Sequence, residues 1–457
     1  VSDRVHLPAE IRKMLSNDYI KNYKSTLILA YPVVLSQLGH IMVGVVDTAM
    51  VGQIGTNEQA AVALANSLYT LVLVFGLGVS YGVTPLVAAA DSSNNTSENA
   101  SLLKHSIIIN TLLGILLFAL LVAVAPVLNL FDQKQEVVDL AIPFLNVMML
   151  GMIPLCVFSA FKQFAEGLSN TKAAMIISVA ANLLNVLLNY LLIFGHWGLP
   201  EMGLMGSCWA SFIARFLMAL VMFLYVYKNS YFKKYWIGFS FKNVSKELTK
   251  KILAIGVPSG LQWVFEVGAF AFAVIMIGWI SPKAQAAHQV ALSIAAVTYM
   301  MASGLSAAAS VRVGNQYGLK STQGIRIAGF SAFIVVLVFM GLMALSFILL
   351  RTWLPTFFTK DAEVISISST LLIIAAFFQL SDGTQVVGLG ALRGLKDVKI
   401  PTIITLIAYW VIGLPMSYLL AFKFNLGVEG VWYGLSIGLT VSAILLFTRF
   451  NYISKKV

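Results

Sequence analysis

The sequence predicts an all-α integral membrane protein, twelve transmembrane helices arranged as two pseudo-symmetric six-helix lobes. Three observations predict it. Hydrophobic residues make up 59% of the 457 positions and charged ones only 11%, with a mean hydropathy of +0.87. A soluble surface cannot be built from that composition. Second, the apolar runs are continuous and not alternating, which argues against a β-barrel. Third, the stretch from Lys24 lies over the stretch from Lys250 at a constant offset of 226 residues without a gap. Pro32 falls on Pro258, Met50 on Met276, Gly52 on Gly278, Gln59-Ala60-Ala61 on Gln285-Ala286-Ala287, Ser67 on Ser293 and Gly78 on Gly304.

The elements follow in order. Residues 1–23 read as a short amino-terminal surface helix. Six spans are expected at about 24–50, 59–84, 103–125, 138–162, 172–195 and 203–227. A basic connector fills 228–247. Six more spans are expected at about 248–279, 285–311, 325–350, 362–392, 399–422 and 427–450, and the tail is 451–457. The repeat persists late in each half: Glu166-Gly-Leu-Ser-Asn-Thr-Lys172 matches Arg393-Gly-Leu-Lys-Asp-Val-Lys399, and Gly203-x-x-Gly206 matches Gly427-x-x-Gly430. A six-span unit enters and leaves on one side, so the halves are related by an axis along the membrane normal, with binding sites near mid-membrane. Pro32, Pro154, Pro258, Pro401 and Pro415 lie in or at the ends of spans, where a missing N–H permits a bend or a static kink.

The net charge of +11 is explained by where the cations sit. Basic residues crowd alternate loops: Arg4, Arg12, Lys13, Lys21 and Lys24; Lys228 to Lys251 in the connector; Arg312, Lys320 and Arg326; Arg393, Lys396 and Lys399; Arg449, Lys455 and Lys456. The positive-inside rule then places both termini in the cytoplasm of an inner membrane, with an even number of spans and no role for nucleic acid. Cys156 and Cys208 both fall in spans and read as packing residues. There is no P-loop, no His-Glu-x-x-His and no nucleophile elbow, so an enzyme or ATP-driven machine is not indicated and no cofactor is expected.

Three carboxylates stand inside apolar spans: Asp47, Glu266 and Asp382. Each needs a proton, a cation or a donor partner, because an unsatisfied ionised carboxylate in low dielectric is strongly disfavoured. Arg215 is the candidate counter-ion. Asn185 and Asn189, four apart on span five with Asn182 before them, share a face and could join Asp47 in an oxygen cage for Na+. Helix-to-helix hydrogen bonding is the competing reading for each. Phe270 follows Glu266 by one turn, and His288-Gln289 and Tyr299 line span eight.

Val46-Asp47-Thr48, Ala286-Ala287-His288-Gln289-Val290, Ser310-Val311-Arg312-Val313-Gly314 and Ala391-Leu392-Arg393-Gly394 together resemble the multidrug and toxic compound extrusion (MATE) transporters, most closely their NorM-like branch. The resemblance covers nearly the whole chain. It implies a central cleft between two lobes and export of cationic or amphipathic drugs in exchange for Na+ or H+. It implies further that Glu266 and Asp382 form a C-lobe coupling-ion and drug site lined by Phe270, Gln289 and Tyr299, with Asp361 near an external drug-facing loop. Asp47, Asn185 and Asn189 would be an N-lobe cation site. Two residues depart from the pattern: Phe378 stands where some members carry Tyr, and Asn189 where other branches carry an acid. A monomer in the lipid bilayer is the expected state. The rivals are a lipid-linked oligosaccharide flippase, which would need basic residues in the cleft where only Arg215 is evident; an intramembrane lipid-modifying enzyme, which would need a His or metal cluster; and a passive channel.

Overall fold

The computed structural model describes residues 17–130, 134–237 and 244–457, and they form helices joined by short turns. Twelve helices are long and apolar enough to cross a membrane: α1 (Tyr19–Val51), α2 (Thr56–Ser92), α3 (Thr96–Asn129), α4 (Gln135–Gly167), α5 (Lys172–Phe194), α6 (Leu204–Lys228), α7 (Lys246–Gly278), α8 (Pro282–Gly318), α9 (Thr322–Leu350), α10 (Ala362–Gly394), α11 (Lys399–Lys423) and α12 (Gly427–Ile453). Several are longer than expected. α8, at 37 residues, extends about 55 Å against a hydrocarbon core of about 30 Å, so its last turns stand beyond the apolar slab. Of the expected amino-terminal surface helix, residues 1–16 lie outside the described residues, and the remainder is not separate. It continues into α1 as one helix, Asn17–Val51. The connector holds a short helix, Ser230–Trp236, whose Phe232 and Tyr235 are buried, while residues 238–243, with Lys242, lie outside the described residues.

Local sequence sets the breaks. α2 is interrupted at 81–83 and restarts with Pro85 in its first turn, where a missing N–H costs nothing. In α11 the five-residue helix Leu414–Tyr418, begun by Pro415, is flanked by wide π turns at Ile407–Gly413 and Leu419–Lys423. The first of these carries Tyr409, wholly buried, toward the interior. Cys156 and Cys208 are free and buried.

Two apolar cores each stay within one sequence half, and two others join residues of both. One apolar core is drawn wholly from Val51 to Cys208, another wholly from Ala269 to Leu439. The halves touch through α1 against α8 and α2 against α7. These two contacts exchange under the 226-residue repeat. A Cβ on Gly78 would stand 2.5 Å from the Gly260 Cα, and one on Gly304 would stand 2.4 Å from Val34, which is the repeat position of Gly260. The duplication is therefore visible in the packing as well as in the letters. Gly82 against Gly256, and Gly314 and Gly318 against the last turns of α2, extend the contact toward the end that carries the chain termini. Arg312 of α8 closes that end by donating to the Asn22 carbonyl and side-chain oxygens and to Thr26 of α1. At the other end Gly44 of α1 faces open space, and Gln285, Ala286 and Gln289 of α8 are exposed. The close contacts between the lobes run from mid-helix toward the end that carries the chain termini.

Candidate ion and drug sites

In the second half, Glu266 of α7 and Asp382 of α10 are 6% and 5% exposed and near enough for their charges to interact. The Tyr299 hydroxyl of α8 lies within electrostatic range of Glu266, and both line one cavity. Tyr409 lies within electrostatic range of both acids, its hydroxyl accepting from Gln385 Nε2 at 2.8 Å. Phe270 puts its ring 6.1 Å from those of Phe378 and Tyr409, forming an aromatic wall beside the pair. Among the described residues no ion pair involves either acid. Two buried carboxylates without a fixed cation demand protons or a mobile cation.

Glu266 and Tyr299 open onto a cavity shared with Tyr81, Trp263, Ser306 and Arg393. Its volume of about 20 Å³ admits a water or a small ion but no drug. Both lobes contribute to its neighbourhood, since Gln37 of α1 donates to Ser303 of α8 at 3.3 Å.

In the first half, Asp47 of α1 accepts from Asn189 Nδ2 of α5. Asn185 also faces it. With its amide turned toward Asp47, Nδ2 lies 3.0 Å from Oδ1, and the amide oxygen accepts from the Ser211 hydroxyl and backbone N–H, both at 3.2 Å. The Asn189 Oδ1 is buried and without a partner among the described residues. A buried carbonyl oxygen left over beside a carboxylate suits a hard cation that takes oxygen ligands. No group of three or more His, Cys, Asp or Glu side chains able to hold a metal occurs among the described residues.

The remaining expectations fare differently. Gln289 is exposed and stands ten residues, roughly 15 Å of helix, from Tyr299. Asp361 lies about 30 Å of helix before Asp382. It caps α10, its Oδ1 accepting from the Glu363 and Val364 N–H groups at 2.9 and 3.2 Å, and these bonds hold its carboxyl below the ordinary Asp value. Arg215, expected as a counter-ion, donates instead to the Tyr69 hydroxyl at 2.5 Å, although Asp47 feels its charge. His288 is buried and accepts from Trp432 Nε1 at 3.0 Å, a packing role.

Sequence reasoning missed three sets of residues. Lys162 and Glu166 form a buried pair one turn apart, at 3.9 Å, inside α4. The expected span ended at Lys162, whereas α4 runs on to Gly167; the i,i+4 spacing of opposite charges was the available signal. Arg393, taken for a loop cation, is 5% exposed, stacks 4.9 Å over the Tyr81 ring and lines the cavity with Glu266. That corrects the reading in which Arg215 is the sole basic residue of the cleft. Gln379 and Gln385, three residues either side of Asp382, are buried with unpartnered amide atoms and extend a polar stripe along α10.

The MatE family model matches the chain twice, over residues 32–191 and 258–419. The two matches start 226 residues apart, the same register as the internal repeat. The chain belongs to the MATE family. The multidrug resistance protein MdtK of Photorhabdus laumondii is 33% identical over 446 residues, covering 96% of this chain and 97% of its own length. MdtK of Yersinia pseudotuberculosis is 32% identical over 443 residues, with the same coverage. Among solved structures, the eukaryotic MATE transporter AtDTX14 superposes with a TM-score of 0.86 at 22% identity, over 96% of this chain and 99% of its own. A multidrug resistance MATE transporter in an outward-facing conformation gives 0.87 at 19% identity, over 95% and 96%. Those two likenesses concern the fold. Like the rest of its family, this MATE protein is a multi-pass transporter and not an enzyme.

Proposed function

We propose that this MATE protein is a secondary active multidrug efflux antiporter that exports cationic and amphipathic compounds in exchange for Na+ or H+. One observation carries the reading: Glu266 and Asp382 are both buried beside aromatic rings, within range of each other's charge, and among the described residues neither is in an ion pair. Such a pair binds either a coupling cation or a cationic drug and excludes the other by charge and space. Exchange follows when the two ligands prefer opposite states of the lobes. Phe270 and Tyr299 would then be the drug-facing surfaces of the C-lobe site. Gln289, exposed near the start of α8, would meet drug earlier on the path, and Asp361 at its rim. Asp47, Asn185 and Asn189 would form an N-lobe site for the coupling cation. Basic residues at the closed end support an inner-membrane location with cytoplasmic termini and hence an outward-open state. A monomer suffices, since both sites lie within single lobes.

Protein in liposomes takes up a fluorescent organic cation when a Na+ or H+ gradient is imposed, and Glu266→Gln or Asp382→Asn abolishes it. Full transport in either variant removes that residue from the mechanism. Arg393 in the cavity keeps the flippase reading testable: movement of a lipid-linked oligosaccharide, with no drug counterflow, would replace the antiporter reading.

A further inference from the structure

A groove of about 770 Å³ opens on the outer face of α7 and the start of α11, at the end of the molecule that carries the chain termini. Its rim is basic: Lys246 and Lys250 come from the first turns of α7, and Lys399 begins α11. All three are exposed, and among the described residues none is in an ion pair. The nearby acid Glu247 is taken by Lys251 at 2.8 Å. The floor is apolar, made of Leu253, Ala254, Val257 and Pro258.

Spacing joins the two parts. Lys250, Leu253, Val257 and Leu261 follow one another at three and four residues, so they share one face of α7. Leu253, Val257 and Leu261 are each more than a third exposed, as is Ile403 on α11 beside them. From Lys250 to Leu261 is about 16 Å, close to the half-thickness of a bilayer core. The floor is held in shape, because Thr402 donates to the Pro258 carbonyl at 3.1 Å and Gln262 donates to Thr402 at 3.0 Å. The adjacent face of α7, through Gly256 and Gly260, seats α2 of the other lobe.

We propose that this groove binds one anionic phospholipid, its phosphate between Lys246, Lys250 and Lys399 and an acyl chain along Leu253, Val257 and Leu261. Free phosphate would use the rim and leave the floor bare. A zwitterionic lipid would use the floor but offers no net charge to three unpaired ammonium groups. Each lysine near an anionic surface contributes on the order of fivefold in affinity before screening.

The test uses the full-length protein in detergent and native mass spectrometry with equal amounts of phosphatidylglycerol and phosphatidylcholine of matched chains. The expected result is a first bound lipid that is phosphatidylglycerol by about tenfold or more. Lys246→Gln, Lys250→Gln and Lys399→Gln together bring the ratio near one. A control with Lys233→Gln, Lys320→Gln and Lys455→Gln removes the same charge from exposed sites elsewhere and keeps the preference. Equal binding of the two lipids by the unaltered protein overturns the proposal, as does an equal loss in both triple variants. A thermal-stability arm separates the sources of anion: stabilisation by inorganic phosphate equal to that by phosphatidylglycerol makes the occupant a free anion and overturns the lipid assignment.

Discussion

Gly82→Ala should loosen the closed end of the transporter. A Cβ at this position would stand 2.6 Å from the Ile252 carbonyl oxygen, 2.7 Å from the Gly256 nitrogen and 2.9 Å from the Gly256 Cα. All three are backbone atoms of α7, so no side chain can swing away. Ordinary contact begins near 3.4 Å, so α2 and α7 must separate by about 0.8 Å at this level. Overpacking of this kind costs roughly 1–3 kcal/mol. The cost falls only on the state in which the lobes touch here, so the equilibrium shifts toward the state open at this end by about 5-fold to 150-fold. Spin labels on Asn95 and Lys320, both exposed at this end and on opposite lobes, report the separation by pulsed dipolar spectroscopy. The expected result is a longer-distance population in Gly82→Ala that is minor or absent in the parent. An unchanged distance distribution, with the variant folded and inserted, would refute the claim that the glycine contacts hold the lobes closed.

Other consequences are open to measurement. Arg312→Gln removes the guanidinium that ties α8 to Asn22 and Thr26, and should shift the same distance distribution in the same direction, by about tenfold in population for a charged hydrogen bond of 1.5 kcal/mol or more. Asp47→Asn removes the charge that Asn185 and Asn189 face, and should lower the apparent affinity for the coupling cation about tenfold or more while leaving drug binding in the absence of a gradient intact, as read by concentration dependence of transport and by equilibrium binding. Asp361 has a carboxyl held below its ordinary value, so its cap on α10 is present above the unfolded Asp value near 4 and is lost as pH falls through the lower folded one. Protection of the Glu363 and Val364 amides, taken against the intrinsic exchange rate at each pH, should therefore fall on acidification, and Asp361→Asn should remove that pH dependence.

The membrane class, the twelve spans and the duplication are legible in the letters because each rests on long-range statistics of hydropathy and on a gap-free register. Span ends are less so. α4 and α8 continue several residues past the expected span ends because helices outrun the hydrocarbon and polar side chains there find partners, as Lys162 finds Glu166. The grouping of Asp47 with Asn185 and Asn189 could be read from helical spacing. The cavity around Glu266 could not, because it needs α2, α7, α8 and α10 to converge. Arg393 illustrates the difficulty: its neighbours in sequence resemble a basic loop, and only the packing of α10 places it over Tyr81. Asp361 stands far from Asp382 for the simplest reason, helical rise along α10.

One transport experiment decides whether the three buried acids couple the exchange. Liposomes holding the protein are given a pure Na+ gradient or a pure H+ gradient, and accumulation of a fluorescent organic cation is followed in the parent and in a variant carrying Asp47→Asn, Glu266→Gln and Asp382→Asn together. Accumulation against the cation's own gradient in the parent, under at least one of the two conditions, and none above protein-free liposomes in the variant is the predicted result. Undiminished gradient-driven accumulation after all three acids have become amides would contradict it.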